Sequence, residues 1–302
     1  MARALLALAA ACALAAVVIQ VLAVRTAGGQ RLDDAARGNL SPRSPTAVIN
    51  ATSNLLDTIS ASSLLLLGAG ILAIALLRGR PLLAVGAGVV VLGANLTTQW
   101  LKGELGRPDL LPGSLPTPGS FPSGHVTVAM SLAMALVLVV PPSLRWVAAA
   151  LGSAYAIGVG VAVILLDWHR PSDVLGAYLV TVAWTALVAA GLLTAHDAGG
   201  LAATRRGRPA GARAAGALTV GLGAVFGVIV GVQAARRIDL LRVVHDRTAF
   251  ASAAIVCAAA CAVLTIAVTA LIQRAASSPG RPPGRLTPCA SACSRAEGTA
   301  PD

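Results

Sequence analysis

FPSGHVTVAMSLAMALVLVVPPSLRWVAAALGSAYAIGVGVAVILLDWHRPSD (residues 121–173) decides the fold of this chain. Two long apolar runs lie inside it, at about 125–140 and 144–166, each bounded by a short polar island. Pro141 and Pro142 part them, because proline has no amide hydrogen to continue a helix. Runs of about 20 apolar residues match a bilayer core of roughly 30 Å. Outward from this stretch the pattern repeats at 4–24, 54–77, 81–100, 172–194, 211–232 and 250–272. The runs are continuously apolar and do not alternate, which argues against a membrane β-barrel and for helices. Composition agrees: 56% of the 302 residues are hydrophobic, 12% are charged, and the mean hydropathy is +0.79. The expected fold class is all-α, a polytopic membrane protein.

The connections carry most of the charge. Residues 26–54 are polar, with scattered glycine, proline and asparagine, and read as a mobile loop outside the bilayer. Residues 101–124 are broken by Gly103, Gly106, Pro108, Pro112, Pro116 and Pro118. The net charge of +11 is spread over loop arginines with no soluble domain to display them. It fits anionic lipid headgroups and excludes a nucleic-acid partner. Cys12, Cys257 and Cys261 fall in apolar runs, and Cys289 and Cys293 lie in a polar tail without histidine neighbours, so no metal or other cofactor is expected. His196–Asp197 and His245–Asp246 read as loop pairs. The arginine cluster at 205–213 sets the orientation, placing both termini on the inner side. Oligomeric state is not legible.

Three polar islands then face the same side of the membrane: LKGELGRPD (101–109), FPSGH (121–125) and DWHRPSD (167–173). They hold the chain's one lysine, Lys102, with Arg107 and two of its four histidines. Ser123 is suited to cap a helix, and Gly124 lets backbone approach an anion. The unpaired N–H groups of that first turn attract phosphate. His169 and Asp173 are four residues apart, so a helical turn brings them together. A carboxylate bonded to one imidazole nitrogen fixes the tautomer and leaves the other free to attack. Two histidines with nearby cations suit phosphoryl transfer: one attacks phosphorus, the other protonates the departing oxygen, and cations hold the phosphoryl oxygens. The rival readings are a satisfied His–Asp pair at a helix cap and a PSGH segment that only eases a helix into the headgroups.

LKGELGRP, PSGH and HRPSD resemble the signature motifs of the type 2 phosphatidic acid phosphatase (PAP2) superfamily of membrane lipid phosphatases. The resemblance covers roughly residues 5–194. It implies a six-helix core, with two additional C-terminal transmembrane helices here. The corresponding divisions are a catalytic domain at 1–195, extra helices at 196–273 and a disordered cytoplasmic tail at 274–302. It further implies metal-independent hydrolysis of a lipid phosphomonoester or diphosphate through a phosphohistidine, at the extracytoplasmic face. By position His169 resembles the nucleophile, Asp173 its orienting carboxylate and His125 the leaving-group acid. Lys102, Arg107, Ser123 and Gly124 resemble phosphate ligands, and Arg170 is the nearest substitute for a missing one. The third motif departs from the pattern: Ala162 and Val163 stand where the family has Ser-Arg. The first motif is also shortened, with Lys102 five positions before Arg107, about 140° away on a continuous helix. A non-catalytic lipid-binding or scaffold protein of the same fold is the alternative.

Overall fold

A computed structural model of the chain describes residues 1–37, 46–57, 59, 61–111, 119–197 and 244–277. Among them no strand forms, and the helices are α1 (Ala2–Ile19, prolonged by a π-helical turn, Gln20–Val24), α2 (Ala27–Arg37), α3 (Thr46–Asp57), α4 (Ala61–Leu77), α5 (Pro81–Leu105), α6 (Gly124–Val139), α7 (Arg145–Leu165), α8 (Pro171–Asp197) and α9 (Val244–Ser277). Five helical stretches are long and apolar enough to cross a membrane: Ala2–Val24, Pro81–Leu105, Arg145–Leu165, Pro171–Ala195 and Thr248–Ala276. Leu64–Leu77 in α4 and Gly124–Val139 are shorter apolar helices. The protein is thus an all-helical, multi-pass membrane protein.

Local chemistry sets the helix ends. Pro81 opens α5, where its missing N–H is no loss. Gly106 stops it with φ of +52°, a backbone region that favours glycine. Helix α6 ends at Val139, before the proline pair, and α8 starts at Pro171. Helix α8 is the hub of the bundle, packing against α1, α5, α6 and α9, while α7 lies along α6. Small residues allow close approach: a Cβ on Gly152 of α7 would come within 2.6 Å of Ala133 of α6. The lipid-facing surface is apolar, as at Leu65, Leu66, Leu77 and Leu151.

Three differences from the sequence reading concern connections. The expected loop at 26–54 contains α2 and most of α3. Helix α2 turns Gln30, Asp33 and Ala36 inward at helical spacing, and two of those three are polar. Its inner face meets polar groups rather than an apolar core, so no hydrophobic period marks it. The apolar run at 54–77 is divided, with α3 ending at Asp57 and α4 beginning at Ala61. Helices α8 and α9 run on through His196–Asp197 and His245–Asp246, which therefore stand in helices, not loops. The run at 211–232, the arginines at 205–213 and the tail from 278 lie outside the described residues. Helix α9 packs against α7, α8 and α2 as part of the same bundle.

Candidate active site

Lys102 occupies the last turn of α5 and Arg107 the segment after it. Ser123 is the extended residue before α6, Gly124 and His125 open that helix, and Asp173 stands in the first turn of α8. Backbone binds these ends together: Ser123 N–H donates to the Asp173 carbonyl at 2.9 Å. Phe121 seats against α8 because residue 176 is glycine, where a Cβ would lie 2.5 Å from its ring. Deeper in the bundle, Thr98 of α5 and Thr127 of α6 are hydrogen-bonded at 3.0 Å. The Lys102 ammonium lies 3.5 Å from the place of a Gly124 Cβ, so the lysine and the α6 N-terminus share one spot.

The turn between α7 and α8 presents His169. The Val163 carbonyl accepts both the Trp168 and His169 N–H groups at 3.0 Å. Asp167, with φ of 60°, reverses the chain there. His169 Nδ1 is 3.3 Å from Asp173 Oδ2, and the Arg170 N–H donates to the same oxygen at 3.0 Å. Asp173 therefore closes the first turn of α8 in the manner of a capping box while holding the imidazole. Ser120 Oγ donates to its Oδ1 at 3.3 Å. His125 faces His169 edge-on, with ring centroids 6.4 Å apart, and Trp168 at 5.5 Å.

The structure thus brings His125, His169, Asp173, Lys102, Arg107, Ser123 and Gly124 to one end of the bundle. The Arg107 side chain is buried, and among the described residues its Nε and Nη1 have no hydrogen-bond partner; neither does the buried Ser123 Oγ. Arg170 is buried as well, with Nε donating to Asp34 Oδ1 at 2.6 Å. Val163 is fully enclosed in the apolar core and Ala162 nearly so.

Helix α2 adds residues that the sequence reading missed. Arg107 Nη2 donates to Asp33 Oδ2 and to Ser172 Oγ, each at 3.1 Å, and lies 3.5 Å from Asp173 Oδ1. Asp33 Oδ1 accepts the Ser172 N–H at 3.1 Å, and the Ser172 hydroxyl donates to Oδ2. Burial pushes the Asp33 carboxyl above its ordinary pKa; the Ser172 hydrogen bond and Arg107 oppose this, and Asp173 adds to it. Arg37 Nε lies 4.0 Å from Asp167, and burial, then Arg170, lower the Arg37 pKa against the pull of Asp167, Asp34 and Asp173. The available signal was the DD pair at 33–34 followed by Arg37, on a helix whose buried side is polar. Among the described residues no cluster of three or more His, Cys, Asp or Glu side chains is arranged to hold a metal ion.

Helices that expose leucine to lipid and gather two histidines, an aspartate, a lysine and an arginine at one end define a membrane protein with a polar site at the bilayer surface. Residues 82–196, which contain the three islands, match the PAP2 superfamily. A crystal structure of a transmembrane PAP2 type phosphatidylglycerolphosphate phosphatase from Bacillus subtilis is similar at 20% identity and a TM-score of 0.48, covering 62% of this chain and 96% of that one. No curated protein matches the chain.

Proposed function

We propose that this protein hydrolyses a lipid phosphomonoester or diphosphate, of polyprenyl or phosphatidic type, at the extracytoplasmic membrane face. The observation that carries the reading is the pair of histidines, one held by Asp173, with rings 6.4 Å apart beside donors that lack partners. Attack distances of about 3 Å and proton transfer over about 3 Å are what such a spacing accommodates around one phosphoryl group.

With Nδ1 turned to Asp173, the His169 Nε2 lone pair attacks phosphorus. The bond from phosphorus to the lipid oxygen breaks, and His125 gives that oxygen a proton. Asp173 stabilises the positive charge that develops on the His169 ring. Water then attacks the phosphohistidine, His125 takes its proton, and inorganic phosphate leaves. Lys102, Arg107 and the Ser123–Gly124 turn are assigned to the phosphoryl oxygens, where buried, pre-aimed donors count for more than in water. Arg170 is assigned a supporting charge, since its Nε is bonded to Asp34. No step in this scheme calls on a metal. Residues 1–195 form the catalytic unit in this reading, 196–273 supply extra helices and 274–302 a tail.

Two observations favour a second reading, a lipid-binding scaffold: Val163 stands where the PAP2 pattern has an arginine, and α2 carboxylates hold both Arg107 and Arg170. Rapid quenching with radiolabelled lipid phosphate separates the two. Wild type should hydrolyse the substrate and carry acid-labile, base-stable phosphate, and His169→Ala should do neither. Turnover that survives in His169→Ala removes the nucleophile assignment. Folded wild type that binds lipid phosphates and cleaves none of a broad panel favours the scaffold.

A further inference from the structure

We propose that Asp33, on a helix outside the family-matched region, is a positioning residue that aims Arg107 at the phosphate; the identity of the anion rests on the reading above. A guanidinium is planar and rigid, so holding one of its amino groups fixes the directions in which its other N–H groups point. In this site Nη2 is the held group. Asp33 and Ser172 each take it at 3.1 Å, and Asp173 stands at 3.5 Å. The remaining donors, Nε and Nη1, are buried with no partner among the described residues. Buried donors left unpaired are costly, and a phosphoryl oxygen is an acceptor that either N–H group can take. The Ser123 hydroxyl is a further buried donor without a partner.

The same Asp33 carboxylate is bonded to the start of α8, through the Ser172 N–H and hydroxyl. One side chain therefore ties the phosphate-binding arginine to the helix that carries Asp173. Asp33 also lies nearer to Arg107 than Asp173 does, 3.1 Å against 3.5 Å, which leaves Asp173 free to hold His169. Helix α2 is anchored on the other flank of Arg107 as well: Gln30 Nε2 donates to the Pro108 carbonyl at 2.7 Å and the Val24 carbonyl at 2.8 Å. With Nη2 tied and both the sequence neighbourhood and the partner of Arg107 fixed by α2, the other N–H groups of the guanidinium have fixed directions.

The test is a double-mutant cycle read by binding, with orthovanadate as the probe and the full chain in detergent. Asp33→Asn keeps an acceptor for the Ser172 N–H and removes the charge that holds Arg107. It should weaken orthovanadate binding about tenfold, the size of a lost charge-assisted bond. In an Arg107→Lys background, where no planar guanidinium exists to be aimed, Asp33→Asn should change binding less than about twofold. Asp33→Glu, which keeps the charge and shifts it, should also weaken binding only when Arg107 is present, and it serves if Asp33→Asn does not fold. Equal losses in both backgrounds would make Asp33 merely structural, and unchanged binding would remove its role. Wild type that does not bind orthovanadate also overturns the inference. Wild type that binds it, shows the coupling, and yet cleaves no lipid phosphate sinks the proposed hydrolysis and leaves Asp33 standing.

Discussion

His125 and His169 are chemically alike and differ in what each touches. His169 has its Nδ1 on Asp173, whereas His125 lies beside the Trp168 ring and edge-on to the His169 ring. That difference supports giving attack to one and proton donation to the other. His125→Ala should therefore depend on the leaving group. An alkoxide must be protonated as it departs, so cleavage of a lipid phosphomonoester should fall about 10²- to 10⁴-fold. A nitrophenolate leaves without help, so burst formation of the phosphoenzyme from an aryl phosphate should be nearly unchanged. Equal slowing of both bursts would mean that His125 is not the acid. The histidines, Asp173, Lys102 and Arg107 were legible in the sequence because ionisable residues are rare there and stood at the ends of apolar runs. Asp33 and Asp34 were not, because an aspartate in a polar segment looks solvated until its partner is known. Their partners, Arg107, Ser172 and Arg170, are remote in the chain. The Val163 substitution was visible, but its setting was not. Its side chain is buried among apolar residues, while its carbonyl still receives the N–H groups that orient His169.

At the scale of elements, the helices that cross the bilayer could be read because lipid imposes a long apolar run and proline marks its ends. Helix α2 could not, since a helix whose inner face is Gln30 and Asp33 has no apolar stripe. Contacts between elements were also hidden, and one governs the site. The segment carrying Ser123 rests on α8 through Phe121, whose ring covers Gly176. Phe121 is buried, so its ring has little room to retreat from an added methyl group. Gly176→Ala should cost about 1–3 kcal/mol of stability, the range for overpacking a filled interior. Because Phe121 is two residues from Ser123, turnover should drop by more than the folded fraction does. Thermal unfolding and kcat/KM, measured on the same preparation, check this. A variant as stable and active as wild type would show that the packing there is loose.

For the whole molecule, the helix order places the polar site at one end of the bundle and the Pro141–Leu144 turn at the other. Helix α6 begins beside Asp173 and runs to Val139, and α7 returns from Arg145 to the turn that carries His169. Leu110 and Trp168 are exposed at the site end, and Leu144 is exposed in the opposite turn. In the proposed orientation the arginine-rich sequence at 205–213 lies on the inner side. Helix α8 starts at the site end, so the site then faces outward. In a chain with its native cysteines replaced, Leu110→Cys and Trp168→Cys should react in intact cells with a membrane-impermeant maleimide. Leu144→Cys should react only after the membrane is opened. The reverse pattern would put the active site on the inner face and discard the extracytoplasmic substrate. Labelling of Leu110→Cys and Trp168→Cys from opposite sides would separate Arg107 from His169 and remove the shared site altogether.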